Sequence, residues 1–569
     1  MHCASTLGTN SSETGPFSEA VTIGHEILPD DILLNIFRQY MDATPRLWPI
    51  LTHVCRRWRQ VILRSPLGLQ LRLYCTYRTP ASKTLDSWPP LPLVVIDGGH
   101  SMLKPPAPRD NDNIICALKH SDRVKSISLT LTNSLLKKLS TISESFSELE
   151  ELVLLSKDKL QLTLPGSFRW GERVRTLHVT RIAISSLAPI LSSSTDLVDL
   201  QLHEIPMAGY FSPQEFANVL SGASRLRLLS LHFLSFPPRR NYVSLPPPGS
   251  HRIVLPALTS FKYRGTSKYL DNFVARIDAP RLRYIDITFY GQPTMDASQF
   301  GKFIERIGIN TALREADIRA SAHVVCISLN DSSASTRLRL QIPCRQLDWQ
   351  LSSMAQACEQ FSSVVFGIRH LVFITNDWSS GQENVNDEQW LQLVRSFSSS
   401  RILSIAGELA TDLLCALRLA NWGYTTDSAV LPALRTISIL KPMPLDCPFW
   451  DAAQSLISLR RSSNFPIEVQ FECPDCNNTC DTSQGLRDHL VVRHRYEDVC
   501  SYCGYFQFIL EYIYGFQEHL KREHPEAAQN DKLVMQFALS PLERDTLAYR
   551  HSSLRKPQIV APSTAPGSR

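Results

Sequence analysis

What most limits the fold of this chain is a pattern, L-x-x-L-x-L with aliphatic or aromatic replacements, that returns at wide intervals. It stands at Val124-Ile127-Leu129, Leu149-Leu152-Leu154, Val174-Leu177-Val179, Leu197-Leu200-Leu202 and Leu226-Leu229-Leu231. Looser copies follow at Leu258-Phe261-Tyr263, Leu282-Ile285-Ile287, Leu313-Ala316-Ile318, Ile368-Leu371-Phe373 and Leu434-Ile437-Ile439. The first seven intervals between starts are 25, 25, 23, 29, 32, 24 and 31 residues. That is too long for a hairpin meander and right for a strand followed by a return helix or loop. One such unit leaves a face uncovered, so neighbours must stack to make a continuous core. The expected class is α/β, a repeat solenoid over residues 109–468. An ordinary α/β domain whose strands share a motif is the alternative the spacing leaves open. No clear copy occurs between 319 and 367, where a break or irregular strand is expected.

In a strand, the side chains between the buried positions point to the opposite face. They include His203, His232, Lys262, Arg264, Tyr284 and Asp286, which are the candidate substrate-binding residues. Their mixed chemistry suits protein recognition. Residues 79–108, with WPPLPLVVID, read as a Pro-rich connector, and FPPRRNYVSLPPP (236–248) as an extruded loop.

Ahead of the repeats, residues 25–63 carry a helical pattern. Pro29, Asp30 and Asp31 signal a helix start, because proline suits the first turn and carboxylates suit the positive end of the dipole. Ile32 and Ile36, and Leu33 and Phe37, then repeat at i, i+4 to make a broad apolar face. In a second stretch Leu51, Val54, Trp58 and Val61 share a face, with Arg56, Arg57 and Arg59 on the polar side. About forty residues cannot bury all of this themselves. Either the helices cap the following domain or a partner covers them.

The run I-L-P-D-D-I-L-L-N-I-F and then V-C-R-R-W-R-Q-V resembles an F-box over residues 23–68. In that family the module docks onto a Skp-type adaptor, which links it to a cullin-based ubiquitin ligase. Carried over by position, the resemblance implies an adaptor face of Leu28, Pro29, Ile32, Leu33, Ile36, Phe37, Val54, Cys55 and Trp58.

Near the end, Cys473, Cys476, His489 and His494 follow C-x2-C-x12-H-x4-H, and Cys500, Cys503, His519 and His524 follow C-x2-C-x15-H-x4-H. Zinc takes four such donors at tetrahedral corners: two thiolates from a short turn and two imidazoles from one helix face. Leu486 and Phe516, three before the first histidine of each set, would pack beneath the metal. Two structural Zn2+ ions are therefore expected. The segment 471–526 resembles tandem ββα zinc fingers, with Cys480 in place of a core aromatic, about three extra residues in the second loop and a short linker at 495–499. Four protein ligands leave zinc no open position for substrate. The positions that would read bases are Thr482, Gly485 and Asp488, then Tyr512, Gly515 and Glu518. With five Lys/Arg against eight Asp/Glu from 473 to 524, this surface disfavours nucleic acid.

The remaining signals are mostly absences. The 569 residues carry a net charge of only +5, which gives no general push toward nucleic acid or membrane. No run of 18 apolar residues is present, so no membrane span is expected. The first twenty residues are polar, and nine cysteines are scattered at irregular spacing, which fits a reduced protein of the cytoplasm and/or nucleus. Residues 1–22 read as disordered, and 527–569 as a helix and disordered tail. There is no Gly-rich phosphate loop, G-x-S-x-G elbow or H-E-x-x-H helix, so a non-catalytic role is expected. The whole resembles fungal F-box proteins with degenerate leucine-rich repeats. That resemblance implies a substrate-recognition subunit of an SCF-type ubiquitin ligase, with a Skp-type adaptor, a cullin complex and an unknown protein substrate as partners. The alternatives are a zinc-finger regulator that binds nucleic acid, and a scaffold with an F-box-like module outside any ligase.

Overall fold

The computed structural model describes residues 28–43, 50–64, 71–75, 80–87, 90–97, 108–142, 144–157, 162–164, 170–184, 191, 194–234, 252–290, 298–309, 313–321, 324–331, 336–343, 347–375, 387–406, 410–420, 430–440, 448–463, 465–472, 479–480 and 489. The chain forms two compact units, Met1–Tyr210 and Phe211–Arg569. Among the described residues, no helix is long and apolar enough to cross a membrane.

The first unit opens with three helices, α1 (Asp30–Ala43), α2 (Leu51–Val54) and α3 (Arg56–Arg64). Six strands then lie side by side, all parallel, in chain order: β1 (Leu71–Cys75), β2 (Leu93–Asp97), β3 (Val124–Leu131), β4 (Glu151–Ser156), β6 (Thr176–Thr180) and β8 (Asp199–Ile205). Two short strands, β5 (Leu162–Leu164) and β7 (Ile182–Ile184), pair separately. The expected connector at 79–108 is corrected here. It contains a helix, Ala81–Ser87, and β2, which pairs with β1 on one side and β3 on the other. The first group of prolines ends at Pro92, and the LVVI run directly behind it is buried on both faces, so this part of the segment is core rather than spacer. Asp97 at its end is buried and accepts the Thr130 backbone N–H at 2.6 Å.

The second unit continues the design with β9 (Leu228–Phe233), β11 (Ser260–Gly265) and β13 (Tyr284–Phe289), which are parallel neighbours. The stretch without a motif copy holds an antiparallel meander. β14 (Leu313–Ala320), β15 (Val324–Asp331) and β16 (Thr336–Pro343) run back and forth, and β16 rather than β14 meets β13. The parallel series then resumes from β14 with β17 (His370–Thr375), β18 (Ile402–Ala406), β19 (Thr436–Ile439) and β20 (Glu468–Glu472). β21 (Thr479–Cys480) closes an antiparallel hairpin on β20, and β10 (Ile253–Val254) pairs with β12 (Ile277–Asp278) in a ribbon of their own.

The ten motif copies explain the core. All thirty of their apolar side chains are no more than 5% exposed. Three strands escaped the pattern for visible reasons. β18 has Ser400 where its neighbours have leucine or isoleucine, and the hydroxyl is tolerated because it donates to the Ile368 carbonyl at 3.4 Å. β1 and β2 lie ahead of the expected repeat boundary.

Return helices cover the far side of the sheet. Pro213–Leu220 begins with a full capping box, Ser212 with Glu215, and proline at the start; Ser267–Val274 is capped by Thr266. Asp271 on the second helix accepts the Phe300 N–H at 2.9 Å, so it caps the next helix in the row, Ser298–Ile307. Phe216 and Phe273 on neighbouring helices place their rings 5.3 Å apart, and Phe261 of β11 lies 6.0 Å from Phe273. Phe273→Ala should therefore cost about 3–5 kcal/mol, the usual range for emptying a buried aromatic site. Urea unfolding would show this as a lower midpoint, and an unchanged midpoint would mean that the site is not close-packed.

Candidate functional site

The helical module sorts its apolar residues onto two sides of α1. Leu33 and Phe37, at 1% and 0% exposed, face inward. The Phe37 ring lies 4.9 Å from that of Trp58 on α3, tilted by 60°. Leu28, Ile32, Ile36 and Val54 are 41%, 41%, 44% and 55% exposed, and Pro29 and Ile50 are open as well. The i, i+4 spacing placed both pairs on helix stripes but could not say which stripe the chain keeps for itself. Leu33 and Phe37 are removed from the surface-exposed set, and Trp58 is half-buried beneath it.

Polar contacts lock this arrangement. Arg57 Nη2 donates to Asp30 Oδ1 at 2.8 Å and to the Leu28 carbonyl at 2.5 Å, tying α3 to the start of α1. Arg59 Nε donates to the Thr52 carbonyl at 2.9 Å, and Cys55 Sγ accepts the Trp58 N–H at 3.4 Å at the start of α3. Cys55 thus serves the helix junction. The Trp58 Nε1–H is buried without a hydrogen-bond partner among the described residues.

The candidate substrate surface divides. His203 lies on β8 of the first unit, whereas His232, Lys262, Arg264, Tyr284 and Asp286 lie on β9, β11 and β13 of the second. Register brings these five together: Arg264 pairs with His232, and Lys262 with Asp286. Tyr284 Oη donates to Asp286 Oδ2 at 3.2 Å. Burial and then the Asp286 charge push the Tyr284 hydroxyl above its ordinary pKa, so it stays a donor.

Beyond the meander the same face carries a group that the motif search passed over. His370 Nδ1 stands 3.3 Å from Glu315 Oε2, and its Nε2 is 2.8 Å from Ser404 Oγ. The hydrogen bond from His370 holds the Glu315 carboxyl below its ordinary value, against partial burial and with help from Asn330 Nδ2 at 3.0 Å. Ser404 is wholly buried while His370 and Glu315 are half-buried, so the group ties neighbouring strands together at the sheet surface. A depressed carboxyl stabilises the fold above its unfolded pKa and loses that contribution as pH falls through the folded value. Glu315→Gln should therefore flatten the acid limb of a stability profile between neutral pH and pH 3. An unaltered limb would sink this assignment.

Among the eight expected zinc ligands only His489 is within the described residues, on a half-buried helical position. Cys473, Cys476, His494, Cys500, Cys503, His519 and His524 lie outside them, as do the loop 236–248, residues 1–22 and the tail 527–569. What is described fits the first site's donor set. β20 and β21 pair Phe471 with Cys480 and Glu472 with Thr479, so Cys473 and Cys476 fall in the six residues that join two hydrogen-bonded strands. Among the described residues there is no group of three or more His, Cys, Asp or Glu that could hold a metal ion. The described free cysteines include Cys75 and Cys358, both buried. Burial pushes the Cys75 thiol up to about 12 and the Cys358 thiol higher still, which makes them inert packing groups.

Comparison with known proteins bears on the helical module directly. Residues 25–67 match the F-box-like family model. The F-box-like segment therefore spans all three helices, and its open apolar stripe is Leu28, Pro29, Ile32, Ile36 and Val54. Among solved structures the chain is similar to the leucine-rich repeat-containing protein LegL7 from Legionella pneumophila, at 14% identity and a TM-score of 0.24, covering 68% of this chain and 97% of that one. At that score the likeness carries no argument, and the repeat reading rests on the strand ladder itself. No curated protein matches the chain. The two stripes of α1 should separate in a stability assay. Ile32→Ala should change stability by no more than about 0.5 kcal/mol, as exposed sites do, while Phe37→Ala should cost about 3–5 kcal/mol. Equal losses from both would show that Ile32 is packed.

Proposed function

We propose that the chain is a substrate-recognition subunit of an SCF-type, cullin-based ubiquitin ligase. The observation that carries this reading is the split of α1. The F-box-like module keeps Leu33 and Phe37 for its own core and leaves Leu28, Ile32, Ile36 and Val54 to solvent. A module this small gains little by exposing such a stripe unless another protein covers it. A Skp-type adaptor is the partner this family implies. The repeat units then hold a protein substrate, and the receptor acts by raising that substrate's effective concentration beside the transferase. It carries out no chemistry itself.

Two structural zinc ions complete the proposal, one held by Cys473, Cys476, His489 and His494, the other by Cys500, Cys503, His519 and His524. The β20–β21 hairpin supports the first, because it joins the end of the parallel series to the two thiols. The buried free thiols support a reducing compartment, the cytoplasm and/or nucleus.

Two experiments test these readings separately. The adaptor should copurify with the wild type and be lost from Ile32→Asp plus Ile36→Asp, with the thermal unfolding profile of the repeats unchanged. Equal recovery from both proteins would show that this stripe is not the docking face. Elemental analysis should return two zinc per chain, falling to one in Cys473→Ser plus Cys476→Ser. A value near zero in the wild type would end the zinc proposal.

A further inference from the structure

In the second unit, four neighbouring strands share a residue that the repeat motif does not require. Directly after the first motif position comes Arg314 before the body of β14, Arg369 before β17, Arg401 before β18 and Arg435 before β19. Their main chains form an unbroken column. The Arg369 N–H donates to the Arg314 carbonyl at 2.8 Å, Arg401 to Arg369 at 2.7 Å and Arg435 to Arg401 at 2.8 Å. One strand spacing, about 4.8 Å, therefore separates each arginine from the next, and the four span about 14 Å. All four are exposed.

Other arginines of this unit have carboxylate partners: Arg306 with Asp278, Arg319 with Asp317, Arg337 with Asp331 and Arg395 with Glu388. Among the described residues, none of the column's four has an ion pair. Arg314 Nη1 turns back to its own Leu313 carbonyl at 2.8 Å. The adjacent acid, Glu315, is taken by His370 and Asn330. On β20 the position level with Arg435 is the buried Ile467, which ends the column, and the next residue, Glu468, donates its N–H to the Arg435 carbonyl at 2.9 Å. Like charges set opposite one another on paired strands weaken a sheet. The backbone holds these guanidinium groups in a row in spite of that, each with a planar fork suited to a carboxylate.

We propose that this column is a docking strip for an acidic stretch of polypeptide, whose Asp or Glu side chains lie across the starts of β14, β17, β18 and β19. An extended peptide presents side chains on one face about every 6.7 Å, so two or three carboxylates fit along the strip. A polynucleotide would call for positive charge spread over a wider surface and a series of aromatic platforms. The strip is one residue wide, is bordered by Glu468 and has, among the described residues, two exposed aromatics close by in sequence, Phe366 and Phe465, too few for such a series. It is separate from the patch on β9, β11 and β13, and it stands whether or not the helical module meets an adaptor.

The test is fluorescence anisotropy of labelled hexaglutamate with the full chain. The wild type should bind, more weakly as salt is raised, and Arg369→Gln plus Arg401→Gln should lower affinity about tenfold or more. A charge-matched control, Lys302→Gln plus Arg461→Gln on exposed helix positions, should keep wild-type affinity. The column variant should also unfold at a temperature no lower than wild type, because repulsion has been removed. Absence of wild-type binding, or equal loss in the control, would overturn the proposal. So would a lower unfolding temperature with unchanged affinity, which would make the arginines structural. Tighter binding of a 20-base-pair duplex than of the peptide, abolished by the same substitutions, would assign the strip to nucleic acid and overturn it as well.

Discussion

A parallel strand with one greasy face cannot exist alone, and nearly everything in this protein follows from that. Each strand buries its three motif side chains against the return helices while its main chain is completed by the strands on either side. The bonds at the strand starts show how strict the stacking is. The carbonyl at Arg369, and again at Arg401, accepts two N–H groups from the following strand. A residue at that position is fixed by its neighbours' backbones whatever its side chain, which frees the side chain for other uses.

The helical module obeys the same economy on a smaller scale. Its interior is the aromatic pair Phe37 on Trp58 with Leu33, Leu51, Val61 and Ile62 buried as well, and its frame is Arg57 clamped onto Asp30 and the Leu28 carbonyl. With the interior supplied by these groups, Ile32 and Ile36 stay largely open to solvent. The proposed function rests on that exposure.

Much of this was legible in the sequence because strand and helix periods are local. Thirty motif side chains were named from spacing alone and all are buried. The proline stretch misled because composition near Pro89–Pro92 hid the buried strand that follows. Ser400 concealed β18, since a hydroxyl can replace leucine only when a specific carbonyl, that of Ile368, is close enough to take its hydrogen. Which stripe of α1 faces inward depends on Trp58, a residue from another helix, so no reading of α1 alone could settle it. The division of the chain into two units, which places His203 in one and the other five candidates in the other, likewise depends on contacts that spacing does not encode. The arginine column was open to inspection: a basic residue directly follows the first motif position in four successive strands of the sheet.

The meander has a consequence for how the second unit is assembled. With β15 and β16 removed, β13 and β14 would run in the same direction and could sit side by side as ordinary repeats; the insertion pushes β14 two places outward. After β16 the chain is back beside β13, yet β17 must pair with β14, more than fifty residues earlier at Glu315 and His370. The helix Leu347–Gln360 makes that return, and its fourteen residues cover about 21 Å, more than the three strand widths to be crossed. It lies against β15 and β16, and so works as a buckle over the two strands it has to pass. Growth of the sheet past this point therefore waits on a long-range closure, a slow kind of step in folding, and the repeats on either side can form first.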